Sequence, residues 1–115
     1  MRSGFEARVM DAAREYTDLL YEAVRLKFTV ERTYTPDVLL PNGILIEIKG
    51  RFVAADRTKH LQVRKSNPHL DIRFVFQQNA KLRKGSKTSY GDWCDKNGFQ
   101  WALNEIPLEW IEEKK

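Results

Sequence analysis

The stretch from Pro36 to Lys49 constrains this chain more than any other. Val38-Leu39-Leu40 and Ile44-Leu45-Ile46 are apolar runs on either side of Pro41-Asn42-Gly43. Proline fixes φ, and asparagine or glycine accepts positive φ, so the three residues read as a turn and the flanks as paired strands. With those residues as the loop, Leu40 opposes Ile44, and counting back places Asp37 opposite Glu47. Directly opposed Cβ atoms lie about 4.5–5.5 Å apart. Two carboxylates that close on an apolar hairpin repel each other unless something positive lies between them. A hard divalent cation with oxygen ligands does this, and Mg2+ typically takes one or two carboxylates and keeps several waters. Lys49, two residues past Glu47, projects from the same face, while Ile48 between them points into the core.

These groups meet the needs of phosphodiester hydrolysis: a cation to polarise the phosphate, a water to attack, and an ammonium to orient that water or steady the charge. The spacing is Pro36-Asp37, nine intervening residues, then Glu47-Ile48-Lys49, which is the PD-(D/E)xK pattern. The string is short, and a surface hairpin with a Glu–Lys pair is the plain alternative. A carboxylate inside an Ile/Leu strand argues against that alternative.

Charge is unevenly spread. Residues 1–48 hold six Lys/Arg and eight Asp/Glu, residues 49–87 eleven and two, and residues 88–115 three and six. The middle block therefore carries +9 within a chain of net +4. Such a concentration implies a polyanionic partner, because Lys and Arg that neutralise phosphates release condensed counterions. Lys81, Arg83, Lys84 and Lys87 cluster in one segment and read as backbone contacts to nucleic acid. The competing reading is a solvated loop.

The 115 residues fit one domain, 1–115. With 42% hydrophobic and 31% charged residues the chain should fold as a globule. No apolar run approaches the ~20 residues of a membrane span, and the first residues lack a signal peptide. The single Cys94 excludes an internal disulfide and a multi-cysteine zinc site, which suits a reducing cytoplasm. His60 and His69 are too few for a histidine metal site.

The expected elements are a helix over 3–17 with Ser3 and Glu6 as a capping box, and an alternating strand over 24–30. The hairpin strands 38–40 and 44–49 follow. Asp56 caps a short basic helix, with Leu61 and Val63 as its apolar residues, and Asn67-Pro68 ends it. A strand at 72–76, a basic loop at 77–87, a helix from Ser89 to Gly98, a strand at 99–102 and helical turns at 107–112 complete an α/β domain around a mixed sheet.

Several stretches carry a resemblance. Tyr34-Thr35-Pro36-Asp37-Val38-Leu39-Leu40-Pro41-Asn42-Gly43, Glu47-Ile48-Lys49-Gly50 and Asp56-Arg57-Thr58-Lys59-His60-Leu61 resemble the phage endonuclease I family, the small Holliday-junction resolvases. So do Leu70-Asp71-Ile72-Arg73, Lys84-Gly85-Ser86, Thr88-Ser89-Tyr90-Gly91, Ile106-Pro107 and Glu109-Trp110-Ile111, with Arg2-Ser3-Gly4-Phe5-Glu6 at the start. The segment between Glu6 and Asp37 is a few residues shorter than the family's pattern, and the family's basic tails are largely missing.

The resemblance implies a PD-(D/E)xK, restriction-endonuclease-like core (34–115) and an intertwined homodimer that swaps the first helix and strand (1–30). It implies a phage- or prophage-encoded enzyme of the bacterial cytoplasm, cutting four-way and other branched DNA junctions with Mg2+, or Mn2+ as substitute. The catalytic residues it implies are Glu6, Asp37, Glu47 and Lys49, with Asp37, Glu47 and Glu6 toward metal. Glu6 would otherwise serve only as a helix cap. Arg2, Arg51, Arg57, Lys59, His60 and Arg64 join the 81–87 cluster as expected DNA contacts. Trp93, Trp101 and Trp110 are expected to fill the core. Rival readings are a sequence-specific or nicking nuclease of the same chemistry and a non-catalytic junction-binding protein.

Overall fold

The computed structural model describes residues 4–14, 20–21, 26–28 and 32–115. A five-stranded sheet runs in the order β1-β4-β5-β6-β7. Its strands are β1 (Leu20–Tyr21), β4 (Val38–Leu39), β5 (Leu45–Lys49), β6 (Ile72–Phe76) and β7 (Trp101–Leu103). The β1–β4 and β4–β5 pairs are antiparallel, and β5–β6 and β6–β7 are parallel. Helix α2 (Ala54–Ser66) connects β5 to β6, and α3 (Tyr90–Asn97) connects β6 to β7. A separate two-stranded ladder pairs β2 (Leu26–Phe28) with β3 (Arg32–Tyr34).

The two central strands are buried on both faces, so they read as nearly unbroken apolar runs. One face carries α1 (Gly4–Arg14) and α4 (Leu108–Glu112), whose Phe5, Val9, Met10, Ala13 and Trp110 pack on Ile46, Ile48 and Val75. The other carries α2 and α3, whose Val63, Tyr90 and Cys94 pack with Phe52, Phe74, Phe76 and Phe99. Trp93 stacks on Phe99 with ring centroids 5.6 Å apart. Trp101 lies across α3 at Gly91, where a Cβ would sit 2.2 Å from the indole. Glycine is required there by space.

The hairpin forms in the expected register. Val38 pairs with Ile46 and Leu39 with Leu45. Leu40 N–H donates to the Ile44 carbonyl, and Gly43 turns the chain at φ 93°. Helix α3 begins on a capping box between Ser89 and Asp92 and ends on Gly98 in the left-handed region, as the sequence implies.

Three expectations change. Helix α2 starts before Asp56, on Val53, which makes no side-chain cap; Asp56 sits in its first turn, where a negative charge suits the helix dipole. Its buried residues are His60 and Val63, which face the sheet, and Leu61 lies on the solvent side. The expected strand over 24–30 is described only as Leu26–Phe28, and its partner β3 was not anticipated. The Ser3–Glu6 capping box, Arg2 and residues 15–17 of the first helix lie outside the described residues.

Two buried charges interrupt the central strands on opposite faces: Glu47 on β5 and Arg73 on β6. Arg73 is fully matched. Its guanidinium donates to Asp71 at 2.9 and 2.7 Å and to Glu113 at 2.9 and 2.7 Å, and lies 5.3 Å from the Trp110 ring. Asn42 Nδ2, from the hairpin turn, donates to the Trp110 and Glu113 carbonyls at 2.8 and 2.9 Å. The C-terminal segment is thus tied to the sheet from two sides. Arg73→Met keeps much of the volume, strips Glu113 of this partner and leaves Asp71 with Lys115, which should lower the melting temperature by roughly 5 °C. A fall of only a degree or two by calorimetry would show that the cluster holds nothing together.

Candidate active site

The β4–β5 ladder, extended one pair past Val38 and Ile46, brings Asp37 opposite Glu47. Proline at 36 precedes Asp37 where β4 has not yet begun, so the aspartate side chain turns onto the neighbouring strand. Its Oδ2 accepts from the Ile48 N–H at 2.8 Å. Ile48 itself packs in the core on the α1 side, so Glu47 and Lys49 face the α2 side together.

Glu47 is 2% exposed. Its Oε2 accepts a 2.6 Å hydrogen bond from the Tyr34 hydroxyl. Its Oε1 lies 3.5 Å from Lys49 Nζ and 3.5 Å from His60 Nε2. Burial, and then the charge of Asp37, push the Glu47 carboxyl up to about 7; Lys49, Tyr34 and Lys59 pull the other way. Among the described residues the site is therefore short of positive charge. Lys49 also approaches Asp56 Oδ1 at 3.9 Å. Burial alone would lower the Lys49 ammonium, but Glu47, Asp56 and Asp37 outweigh it and raise its pKa. Lys49 is a fixed positive charge at neutral pH and not a proton acceptor.

Two of these neighbours escaped sequence reasoning. Tyr34 is buried at the end of β3, and burial followed by the Glu47 charge raises its pKa well above the phenolic range, so it stays a donor. His60 is also fully buried, with its imidazole pulled down to about 3 by burial and by Lys49 and Lys59. It is neutral, and neither ring nitrogen has a hydrogen-bond partner among the described residues. The expected phosphate contact at His60 is thus corrected: no phosphate reaches a ring with no exposed surface. The signal for it was the four-residue spacing of Asp56 and His60, which puts both on one face of a helix.

The other expected contacts divide. Arg64 caps α3: its guanidinium donates to the Asn97 and Gly98 carbonyls and lies 4.0 Å from the Phe99 ring. That is a structural role and corrects the DNA contact expected there. Arg57 donates to the Phe52 carbonyl at 2.6 Å. Lys59 lies 5.6 Å from the Tyr34 ring, beside the site. Arg51, Lys81, Arg83, Lys84 and Lys87 are exposed. Glu6 is half-buried in the first turn of α1, a helix on the Ile48 face, and the charges that move Glu47 are those of Asp37, Lys49 and Lys59.

Asp37 raises the cost of ionising Glu47, and with one oxygen of each already taken by a donor the two form a pair that a small divalent cation would relieve. Among the described residues no three His, Cys, Asp or Glu side chains gather into a closed cage. An open site of two carboxylates completed by water is the kind that Mg2+ uses.

What the fold and the site define is an α/β protein with a buried glutamate, a half-buried aspartate beside it and a charged lysine on the same face. Along residues 1–115 the sequence matches the phage endonuclease I family, and the chain belongs to it. It is 45% identical over 119 residues to Endonuclease I of Escherichia phage T7, covering 99% of this chain and 80% of that protein. It is 48% identical over 99 residues to Endodeoxyribonuclease 1 of Enterobacteria phage T3, covering 83% of this chain and 65% of that protein.

The Glu47 shift has a thermodynamic consequence. A carboxyl whose folded pKa lies above its ordinary 4.5 leaves the native state weaker as pH rises through about 7. With chelator present, the loss between pH 4.5 and pH 8 should be about 3 kcal/mol. Glu47→Gln keeps an acceptor for Tyr34 and removes the charge. Its urea midpoint should exceed that of the wild type at pH 8 and match it near pH 4. A variant weaker than the wild type at both pH values would refute the account of a repelled, buried charge.

Proposed function

We propose that this protein is a structure-selective DNA endonuclease, a junction resolvase that hydrolyses phosphodiester bonds at four-way and other branched junctions. The observation that carries the reading is the meeting of Asp37 and Glu47 across one hairpin, with the Lys49 ammonium 3.5 Å from Glu47, in a chain of the phage endonuclease I family. The core reads as the PD-(D/E)xK, restriction-endonuclease-like type, since the acidic pair and lysine sit on adjacent antiparallel strands of a mixed sheet.

Asp37 and Glu47 would hold Mg2+, or Mn2+ in its place. When bound, the ion supplies Lewis-acid polarisation of the scissile phosphate. Lys49, kept charged by Glu47 and Asp56, orients the attacking water and stabilises the negative charge that builds at phosphorus. Asp37, with one oxygen fixed by the Ile48 N–H, would offer its other oxygen to the ion. Lys59 and the exposed Arg51, Lys81, Arg83, Lys84 and Lys87 hold the phosphate backbone of the junction arms. Two such sites in a homodimer suit a four-way junction, because the strands to be cut are related by a two-fold axis. In this reading the first helix and strand exchange between subunits and Glu6 serves the partner's site. No described helix is long and apolar enough to cross a membrane, and the enzyme acts in the cytoplasm of the phage's bacterial host.

The test compares a four-way junction with the matching linear duplex. Wild-type protein should cut the junction in Mg2+, spare the duplex and stall in Ca2+. Glu47→Gln should bind the junction and cut nothing. Cutting by Glu47→Gln at near wild-type rate would show that the site lies elsewhere. In the same binding assay, neutralising Lys81, Arg83, Lys84 and Lys87 together should weaken affinity and flatten its salt dependence by about one unit of slope per lost contact.

Subunit exchange has its own test. Glu6→Gln and Glu47→Gln chains are unfolded, mixed and refolded. In an exchanged heterodimer one site is wholly wild type, so junctions should be nicked on one strand with few paired cuts. Without exchange every site carries one lesion, and the mixture stays inactive.

A further inference from the structure

Tyr34 acts on Glu47 in a way that hydrolysis alone does not demand. We propose that Tyr34 is a positioning residue that decides which divalent cation the site accepts, by leaving Glu47 a single free carboxylate oxygen. The inference rests on the reading of Glu47 as a cation ligand and adds selectivity to it.

The geometry is specific. The Tyr34 hydroxyl donates to Oε2 at 2.6 Å, and Oε1 is the oxygen turned toward Lys49 Nζ. Neither partner has room to move. Tyr34 is 0% and Glu47 2% exposed. The Tyr34 backbone is paired with Leu26 in the β2–β3 ladder. Its ring meets His60 edge-on at 5.6 Å, and Lys59 lies over it at 5.6 Å. His60 in turn packs edge-on against Phe74 at 5.1 Å. The phenol is thus walled in by strand, helix and core, and among the described residues its hydroxyl donates to Glu47.

Cations differ in what they ask of a carboxylate. Ca2+ takes six to eight oxygens in flexible geometry and readily uses both oxygens of one carboxylate, whereas Mg2+ requires near-octahedral single-oxygen ligation. A hydroxyl that occupies Oε2 penalises two-oxygen ligation by Glu47 and leaves single-oxygen ligation untouched. Tyr34 therefore biases the site against the larger ion.

Tyr34→Phe removes the hydroxyl and keeps the ring contacts. The dissociation constants for Mg2+ and for Ca2+ are read separately from the rise in melting temperature of the full chain as each ion is added. The variant should tighten Ca2+ relative to Mg2+ by about tenfold, the lower end of what changes behind a metal ligand do. Its melting temperature in chelator should fall by several degrees, because a buried carboxylate oxygen loses its donor, while its metal-free junction affinity should stay near that of the wild type; the Ca2+-to-Mg2+ ratio is independent of that common baseline. A ratio unchanged within twofold, or both ions weakened alike, overturns the proposal and leaves Tyr34 a packing residue. A second variant guards against a folding defect: 3-fluorotyrosine placed at position 34 keeps every ring contact and is a stronger donor. It should move the ratio the opposite way, toward Mg2+, and a shift toward Ca2+ overturns the proposal. If neither ion raises the melting temperature of the wild type, the cation reading of the site itself has failed, which is a different result from an unchanged ratio.

Discussion

The structure depends on one electrostatic conflict: a glutamate carboxylate held on an apolar hairpin where burial and the neighbouring Asp37 charge both oppose its ionisation. Everything around Glu47 can be read as a partial answer to that conflict. Lys49 and Lys59 offer positive charge, Tyr34 offers a hydrogen bond, and Glu47 still stands near 7. A pair that is only half neutralised is a poor device for stability and a good one for gripping a cation, since the free energy withheld from the fold is released on binding. Arg73, on the next strand and the opposite face, shows the contrast. There the buried charge is met by two carboxylates and an aromatic ring, and Lys115 on Asp71 balances the second carboxylate.

The hairpin was legible because everything that specifies it is local. The Pro41-Asn42-Gly43 turn fixes the loop, the loop fixes the register, and the register alone puts Asp37 against Glu47. Helix α3 was legible for the same reason, since Ser89, Asp92 and Gly98 are short-range signals. What stayed hidden is tertiary. That α2 turns His60 inward and Leu61 outward depends on how the helix packs on the sheet, where His60 meets Tyr34 and Phe74. That Tyr34 reaches Glu47 depends on β3 pairing with β2 and on a contact thirteen residues apart. Basic residues were the least legible, because charge says nothing of orientation. Arg64 closes α3, while Lys81 to Lys87 stand in solvent.

The parallel arrangement of β5, β6 and β7 explains why so small a domain can hold this site steady. Each parallel step needs a crossover helix, and α2 and α3 come to lie on the face that Glu47 and Lys49 share. The aromatic packing of Phe52, Phe74, Phe76 and Trp93 fills the space under those helices, with ring centroids 5.0 to 5.8 Å apart between Phe52 and its neighbours. Asp56 and His60 are delivered to the site by the same helix that closes the core.

The basic segment between β6 and α3 is closed at its neck. Leu82 N–H donates to the Thr88 carbonyl, Tyr90 N–H to the Ala80 carbonyl, and Gly91 N–H to Asn79 Oδ1, with Lys81 bridged to Ser89. Its charges are therefore mounted on a frame that exists before any encounter, and the entropy of gathering them is already spent when the chain folds. Charges held this way would meet a polyanion without a loop having first to close, and a grip made of exposed lysines and arginines would loosen as salt rises.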